Sequence, residues 1–328
     1  METNANPPAP AGQMKAMGFT HHGGPEVLGF VDLRKPHAGP GGVRIRVRAA
    51  AVNPVDAIIR SGAFSGMDAD TAHPVVPGMD VAGTIDQIGP DQPDGFDLAV
   101  GDDVVGFVVP SGAHGGYSES IVLPAQSITR KPSNVSFVEA ASFLSNALTA
   151  ELTLEALALE HGSTLAVTGA AGAVGGYLVE LGAGRGLVVI ADAARGDEEL
   201  VRTLGATHTV GRAPEFVQDV RDLTEGRGAD ALADAAILTD AVLPAVRDGG
   251  QIAFYLPTDL VPDRGVRPFY SYVMGSAERH DAIERLARMV ERDELTTRVA
   301  AVYPLADAVA AHERLARGKL RGRIVLEL

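Results

Sequence analysis

The chain has 328 residues, a formal charge of −14 and no cysteine. Zero cysteines exclude a disulfide framework, a thiolate zinc site, an iron–sulfur cluster and a cysteine nucleophile. The acidic balance argues against binding a nucleic-acid backbone, while 46% apolar and 21% charged residues can build a sizeable core in about two domains.

Residues 1–13 (METNANPPAPAGQ) have no basic start and no apolar stretch, so a disordered tail is expected there rather than a signal peptide. No apolar run approaches the roughly 20 residues of a membrane span. Residues 43–52 (VRIRVRAAAV) alternate apolar and basic before turning apolar, which predicts a strand with one wet face at its start. Asn53-Pro54 breaks it. Residues 80–88 and 102–109 are further short strands rich in β-branched residues. The acidic, turn-rich insertion 89–97 between them is expected to be a solvated loop. Ser136 with Glu139 has capping-box spacing and opens a helical stretch over 139–160. Strands at 164–169, 187–192, 207–210, 230–234 and 250–256 then alternate with helices at 173–185, 197–204, 214–224 and 239–247. That alternation predicts a parallel, doubly wound sheet. Beyond Pro257 it stops. Residues 277–294 form an amphipathic helix with Leu286, Met289 and Val290 on one face. The strand at 298–303, helix at 304–317 and strand at 323–327 are expected to return to the first domain. The fold class is therefore α/β. A discontinuous β-rich domain (14–136 and 276–328) surrounds a nucleotide-binding domain (137–275).

The strongest chemical motif runs from Gly169 through Ala170, Gly172, Ala173, Val174 and Gly175 to Gly176. It follows a predicted strand and opens a predicted helix. Gly172 would let the backbone approach a pyrophosphate, Gly175 would let helix and strand pack closely, and the helix N-terminus offers free N–H groups. Asp192 ends the next strand about 20 residues on, where an acid accepts from a ribose 2′-hydroxyl. Arg195 and Arg212 stand nearby, and either guanidinium would suit a 2′-phosphate. Asn53 ends its strand with an amide donor and acceptor, and Asp56 is placed to start the following helix through its carboxylate.

The chain resembles the zinc-independent quinone oxidoreductase (zeta-crystallin-like) branch of the medium-chain dehydrogenase/reductase superfamily. The resemblance runs from Met14 to Leu328 through MKAMGFTHHGGPEVL (14–28), AAVNPVDAIIRSG (50–62), VVPGMDVAGTI (75–85), GDDVVGF (101–107), GGYSESIVLP (115–124), VTGAAGAVGG (167–176), LGATHTV (204–210) and AHERLARGKLRGRIVL (311–326). It implies a GroES-like β-rich domain beside a Rossmann domain, with a nicotinamide cofactor in the cleft between them and no metal. It implies that Asn53 is the catalytic-site residue and that Thr149, Tyr255, Leu256, Tyr272 and Val273 lie near the nicotinamide half. Arg323 matches a basic position near the diphosphate. Phe64 stands where many relatives carry a tyrosine, so a tyrosine proton donor is in doubt there. Ala194 replaces a serine that commonly meets a 2′-phosphate.

These implications add up to hydride transfer from NADPH, with NADH as the other candidate, to a quinone or an α,β-unsaturated carbonyl. An enoyl reductase acting on a polyketide-type intermediate and a non-catalytic nucleotide-binding protein are the alternatives. A cytoplasmic homodimer is implied, joined through the Rossmann edge strand around 250–256, with no nucleic-acid or membrane partner. The excess of arginine over lysine fits a GC-rich bacterial genome.

Overall fold

The computed structural model describes residues 12–63 and 73–328. They divide into two compact units. One ends at Leu144 and resumes over Ala277–Arg292 and Thr297–Leu328, and the other comprises Ser145–Ser276 and Asp293–Thr296.

The first unit opens with a hairpin of β1 (Gln13–Gly18) and β2 (Gly29–Arg34). Most of the expected tail lies outside the described residues, but Gln13 already belongs to β1 and pairs with Arg34. β3 (Gly42–Val52) is the longest strand. Its Val43, Ile45 and Val47 are buried while Arg46 and Arg48 are exposed, as the alternation requires. α1 (Pro54–Ser61) follows directly, with Pro54 presetting φ for its first turn. It ends at Gly62, in the left-handed region. Next come β4 (Asp80–Ile88), β5 (Asp103–Phe107), β6 (Ser120–Pro124), β7 (Ile128–Arg130) and α2 (Phe137–Ala140). The insertion 89–97 is a largely exposed loop, as expected, but it is tied to the unit at two points. Phe96 packs against the core, and Gln92 Nε2 donates to the carbonyls of Gly42 and Gly89 at 3.2 and 2.9 Å. The Ser136–Glu139 capping box forms in both directions, with bonds of 3.2 and 2.8 Å. α2 packs on β3 and β4, so the first unit runs on through Leu144 rather than ending at 136.

The second unit contains α3 (Leu144–Leu157), β8 (Thr164–Thr168), α4 (Ala173–Gly184), β9 (Val188–Asp192), α5 (Glu198–Thr203), β10 (His208–Val210), α6 (Phe216–Leu223), β11 (Ala229–Asp234), β12 (Val246–Phe254) and β13 (Arg267–Tyr270). Its sheet has the order β10-β9-β8-β11-β12-β13, all parallel. Two expectations need correction. The helix expected at 239–247 is a 3-10 segment, Thr239–Ala245, because in an α-helix the Pro244 ring would clash with the carbonyl of Asp240. β13 is also an additional strand, so the edge of the sheet lies at 267–270, and the strand expected as the edge, 250–256, is interior. Pro268 hid β13 from the sequence pattern, and an edge is where a sheet tolerates proline.

The chain then returns to the first unit through α7 (His280–Glu291), β14 (Val299–Pro304), α8 (Ala308–Ala316) and β15 (Arg323–Glu327). Leu286 and Val290 of α7 are buried and Met289 is half-buried. β15 pairs antiparallel with β3, completing the order β14-β15-β3-β4-β5-β7. The core of this unit joins Ile45, Ile85 and Leu123 to Ile324 and Leu326 of the returning strand.

Candidate active site

In the second unit the glycine turn joins β8 to α4. Gly169 has φ +64°, and a Cβ there would press on Ala235 and Ala236 at 3.1 Å. Gly175 has a different constraint. A Cβ on it would sit 2.2 Å from the Gly169 carbonyl oxygen, so only glycine lets α4 approach the turn this closely. Gly172 is the N-cap of α4 and supplies no side chain to its first turn. The N–H groups there, with Ala173 and Val174 only half-buried, form the kind of helix terminus that accepts an anionic diphosphate.

Asp192, at the end of β9, is 2% exposed, and its Oδ1 accepts from the Ala170 N–H at 2.9 Å. Its Oδ2 lies 3.8 Å from Arg212 Nε, while the Arg212 side chain is 45% exposed. The carboxylate thus braces the turn and pairs loosely with one guanidinium. Arg195 is exposed.

Thr149 does not stand alone. Its hydroxyl donates to the Ser145 carbonyl at 2.7 Å, and its own carbonyl accepts from Thr153 Oγ1 at 2.8 Å. Tyr255 Oη donates to Thr153 Oγ1 at 3.3 Å, so Thr149 and Tyr255 share one chain of bonds. Burial pushes the Tyr255 phenol well above its usual range and keeps it protonated. Leu256 and Tyr272 are exposed and Val273 is half-buried. Sequence reasoning missed Asp234, at the end of β11. Its Oδ1 accepts from Thr168 Oγ1 at 2.7 Å, and its Oδ2 accepts from the N–H groups of Leu238 and Thr239. This buried carboxylate anchors the strand end from which the glycine turn starts. An aspartate at the end of an apolar strand was the available signal.

In the first unit Asn53 is 3% exposed. Its backbone N–H donates to Asp56 Oδ2 at 2.7 Å and its Nδ2 donates to Asp80 Oδ2 at 2.8 Å. Asp56 does start α1 through its carboxylate, and it also accepts from the Gly78 N–H at 2.9 Å and Tyr117 Oη at 3.1 Å. Tyr117 Oη lies 3.2 Å from His312 Nε2 on α8. Burial raises the Asp56 carboxyl to about 6, and the nearby Asp80 charge adds to that. Burial and the Arg60 charge push the His312 imidazole down to about 3. Arg323 is not a surface charge. It is 8% exposed at the start of β15, where its charge acts on Tyr117. Phe64 lies outside the described residues. Among the described residues, no group of three or more His, Asp or Glu could hold a metal ion.

Against known proteins, residues 39–133 match the alcohol dehydrogenase GroES-like domain family and residues 204–326 match the zinc-binding dehydrogenase family. The chain is 28% identical to a 2-haloacrylate reductase of a Burkholderia species, over 93% of this chain and 96% of that protein. It is 30% identical to a probable mitochondrial zinc-binding oxidoreductase of Arthroderma benhamiae, over 79% of this chain and 81% of that protein. Two solved structures are each 28% identical and align with 96% of this chain and 100% of theirs. One is a mycobacterial quinone oxidoreductase with a TM-score of 0.78, and the other is a mycobacterial protein complexed with NADPH, with a TM-score of 0.82.

Proposed function

The chain belongs to the medium-chain dehydrogenase/reductase superfamily, and from that membership we propose that it is an NADPH-dependent reductase of quinones or α,β-unsaturated carbonyls. The observation that carries the reading is the glycine turn, where a helix terminus with no side-chain cap is held in shape by a buried aspartate. Ala170, Gly172, Ala173, Val174 and Gly175 would hold the diphosphate. Thr149, Tyr255, Leu256, Tyr272 and Val273 are assigned to the nicotinamide half and Arg323 to the neighbourhood of the diphosphate. The nicotinamide supplies the hydride when bound. The protein's part is to orient the acceptor and stabilise charge developing on its oxygen. Asn53 would do the latter with the amide hydrogen that Asp80 does not take.

NADPH is favoured over NADH because the Asp192 carboxylate is held by Ala170 and opposed by Arg212. That leaves Arg212 and Arg195 to meet a 2′-phosphate with charge-assisted bonds. A metal-free reaction fits a chain with no cysteine and no clustered oxygen and nitrogen ligands among the described residues. Among those residues no helix is long and apolar enough to cross a membrane. We place the protein in a bacterial cytoplasm as a homodimer without a nucleic-acid partner, a second copy adding to the open edge of β13. Mixing purified protein with NADPH or NADH and a panel of quinones and enones, while following nicotinamide absorbance, tests the reading. Turnover with a preference for NADPH supports it, and no oxidation of either cofactor across the panel removes it.

A further inference from the structure

The first unit contains a buried polar cluster to which the proposed reaction has so far given no part. Asp56 of α1 is fully buried, and three donors from separate segments converge on its carboxylate: the Asn53 N–H after β3, the Gly78 N–H before β4 and the Tyr117 hydroxyl before β6. The charge that acts on Asp56 is that of Asp80 of β4, the charges of Arg60 later in α1 and Arg323 of β15 act on Tyr117, and His312 of α8, which also feels Arg60, lies beyond Tyr117.

The direction of the bonds can be assigned. Tyr117 has one hydroxyl proton. If it goes to Asp56, the phenol oxygen must accept from His312 Nε2, which then carries its hydrogen. The opposite direction would place that hydrogen on Nδ1, a buried atom with no partner. Nδ1 lacks a partner in either direction, but the opposite one would also turn the phenol's lone pairs on the Asp56 carboxylate 3.1 Å away, so the chain runs His312 to Tyr117 to Asp56. Asp56 is its acceptor end, and all three of its donors suit an ionised carboxylate. A buried carboxylate held ionised against its desolvation cost does not maximise stability, which points to another role.

We propose that Asp56 is a positioning residue for the reduction: its ionised carboxylate, oriented through Tyr117 and His312, holds the turn that presents Asn53, and protonation of Asp56 releases that turn. The role rests on the reductase function proposed above. A neutral carboxyl loses the charge that strengthens all three bonds, and its one hydrogen has to point at Tyr117 Oη, which turns the phenol toward His312 and weakens the hold on the Asn53 N–H. Asn53 stands between two carboxylates, its backbone bonded to Asp56 and its side chain to Asp80, so a slack grip at Asp56 is felt at the amide.

The test uses the full chain with NADPH and benzoquinone. With Asp56 titrating near pH 6, kcat should be level at neutral pH and fall about tenfold per pH unit well below that midpoint, with KM for NADPH unchanged. Tyr117→Phe removes one donor that favours the ionised form, and should move the acid limb up by about one pH unit. Asp56→Asn, which cannot ionise, should lose the limb and show lowered kcat at every pH. The carboxyl resonance of Asp56, followed by NMR in wild type and Tyr117→Phe, reports the midpoint without relying on turnover and also covers an Asp56→Asn protein that fails to fold. A limb that stays in place in Tyr117→Phe while the resonance shifts, or a kcat that ignores the titration, overturns the positioning role. If wild type oxidises NADPH with no quinone or enone although Asp56 titrates near pH 6, the reductase function fails and this role fails with it.

Discussion

Asp192 is 2% exposed, with one carboxylate oxygen accepting from the Ala170 N–H and the other 3.8 Å from Arg212. Arg212, half-exposed beside it, is the group proposed above to meet a 2′-phosphate. Arg212→Ala should raise KM for NADPH by about tenfold or more while changing KM for NADH little, since a charge-assisted bond contributes about 1.5–3 kcal/mol. Steady-state kinetics with both cofactors checks this, and equal effects would mean that Arg212 does not touch the phosphate. Gly175 is constrained by space instead. Gly175→Ala places a methyl 2.2 Å from the Gly169 carbonyl oxygen. It should destabilise by about 1–3 kcal/mol and weaken NADPH binding, read by thermal melting and fluorescence titration. The glycine spacing was legible in the sequence because close backbone approach demands a residue type. The bond from the Ala170 N–H to Asp192 was not, because which group a buried acid accepts from depends on what its neighbours leave unbonded.

At the scale of elements, periodicity located most of the strands and helices, and the exceptions have local causes. Pro244 shortened a helix into a 3-10 turn, and Pro268 concealed an edge strand. The insertion 89–97 is the exposed loop its composition suggests, its aspartates facing water, but composition did not show that Phe96 packs on the first unit's core. Phe96→Ser should therefore lower stability by about 1–2 kcal/mol, whereas a solvated loop would leave denaturant unfolding unchanged. β13 bears on assembly. The Ser271 N–H bonds to Phe254 of β12, so by alternation the Tyr270 N–H faces the open edge; if a second copy pairs there, Tyr270→Pro should shift the protein toward monomer in sedimentation without unfolding either sheet.

Across the whole molecule, two buried groups give opposite pH dependences. His312 titrates at about 3 when folded against an unfolded value of 6.5, so the unfolded chain binds its proton first and stability falls as pH drops from 6.5 toward 3. Asp56 titrates at about 6 when folded against 3.8, so the folded state binds that proton first and stability rises as pH drops from 6 toward 3.8. Between about pH 6 and 4 the two oppose each other, and below that only the histidine acts. Removing the histidine leaves the aspartate unopposed. Thermal melts should therefore show His312→Gln losing less stability than wild type between pH 7 and pH 4, even if it starts lower at pH 7. A steeper loss would mean that His312 is not held neutral.

The sequence by itself determined the features that depend on local geometry or on residue identity alone. The lack of cysteine, the strand–turn–helix around Gly169, the Ser136 capping box and the return of the last strand to the first unit all belong here. Tertiary structure decided where the buried polar groups point. Tyr117 and Asp56 are 61 positions apart in the chain, and Tyr117 and His312 are 195 apart. No spacing rule joins them. They meet because α8 and the segments before β4 and β6 are packed around one core, and a buried donor or acceptor must find its partner among whatever the packing brings within reach. The same holds for Thr168 and Asp234, and for the carboxylate of Asp192 turned inward to Ala170.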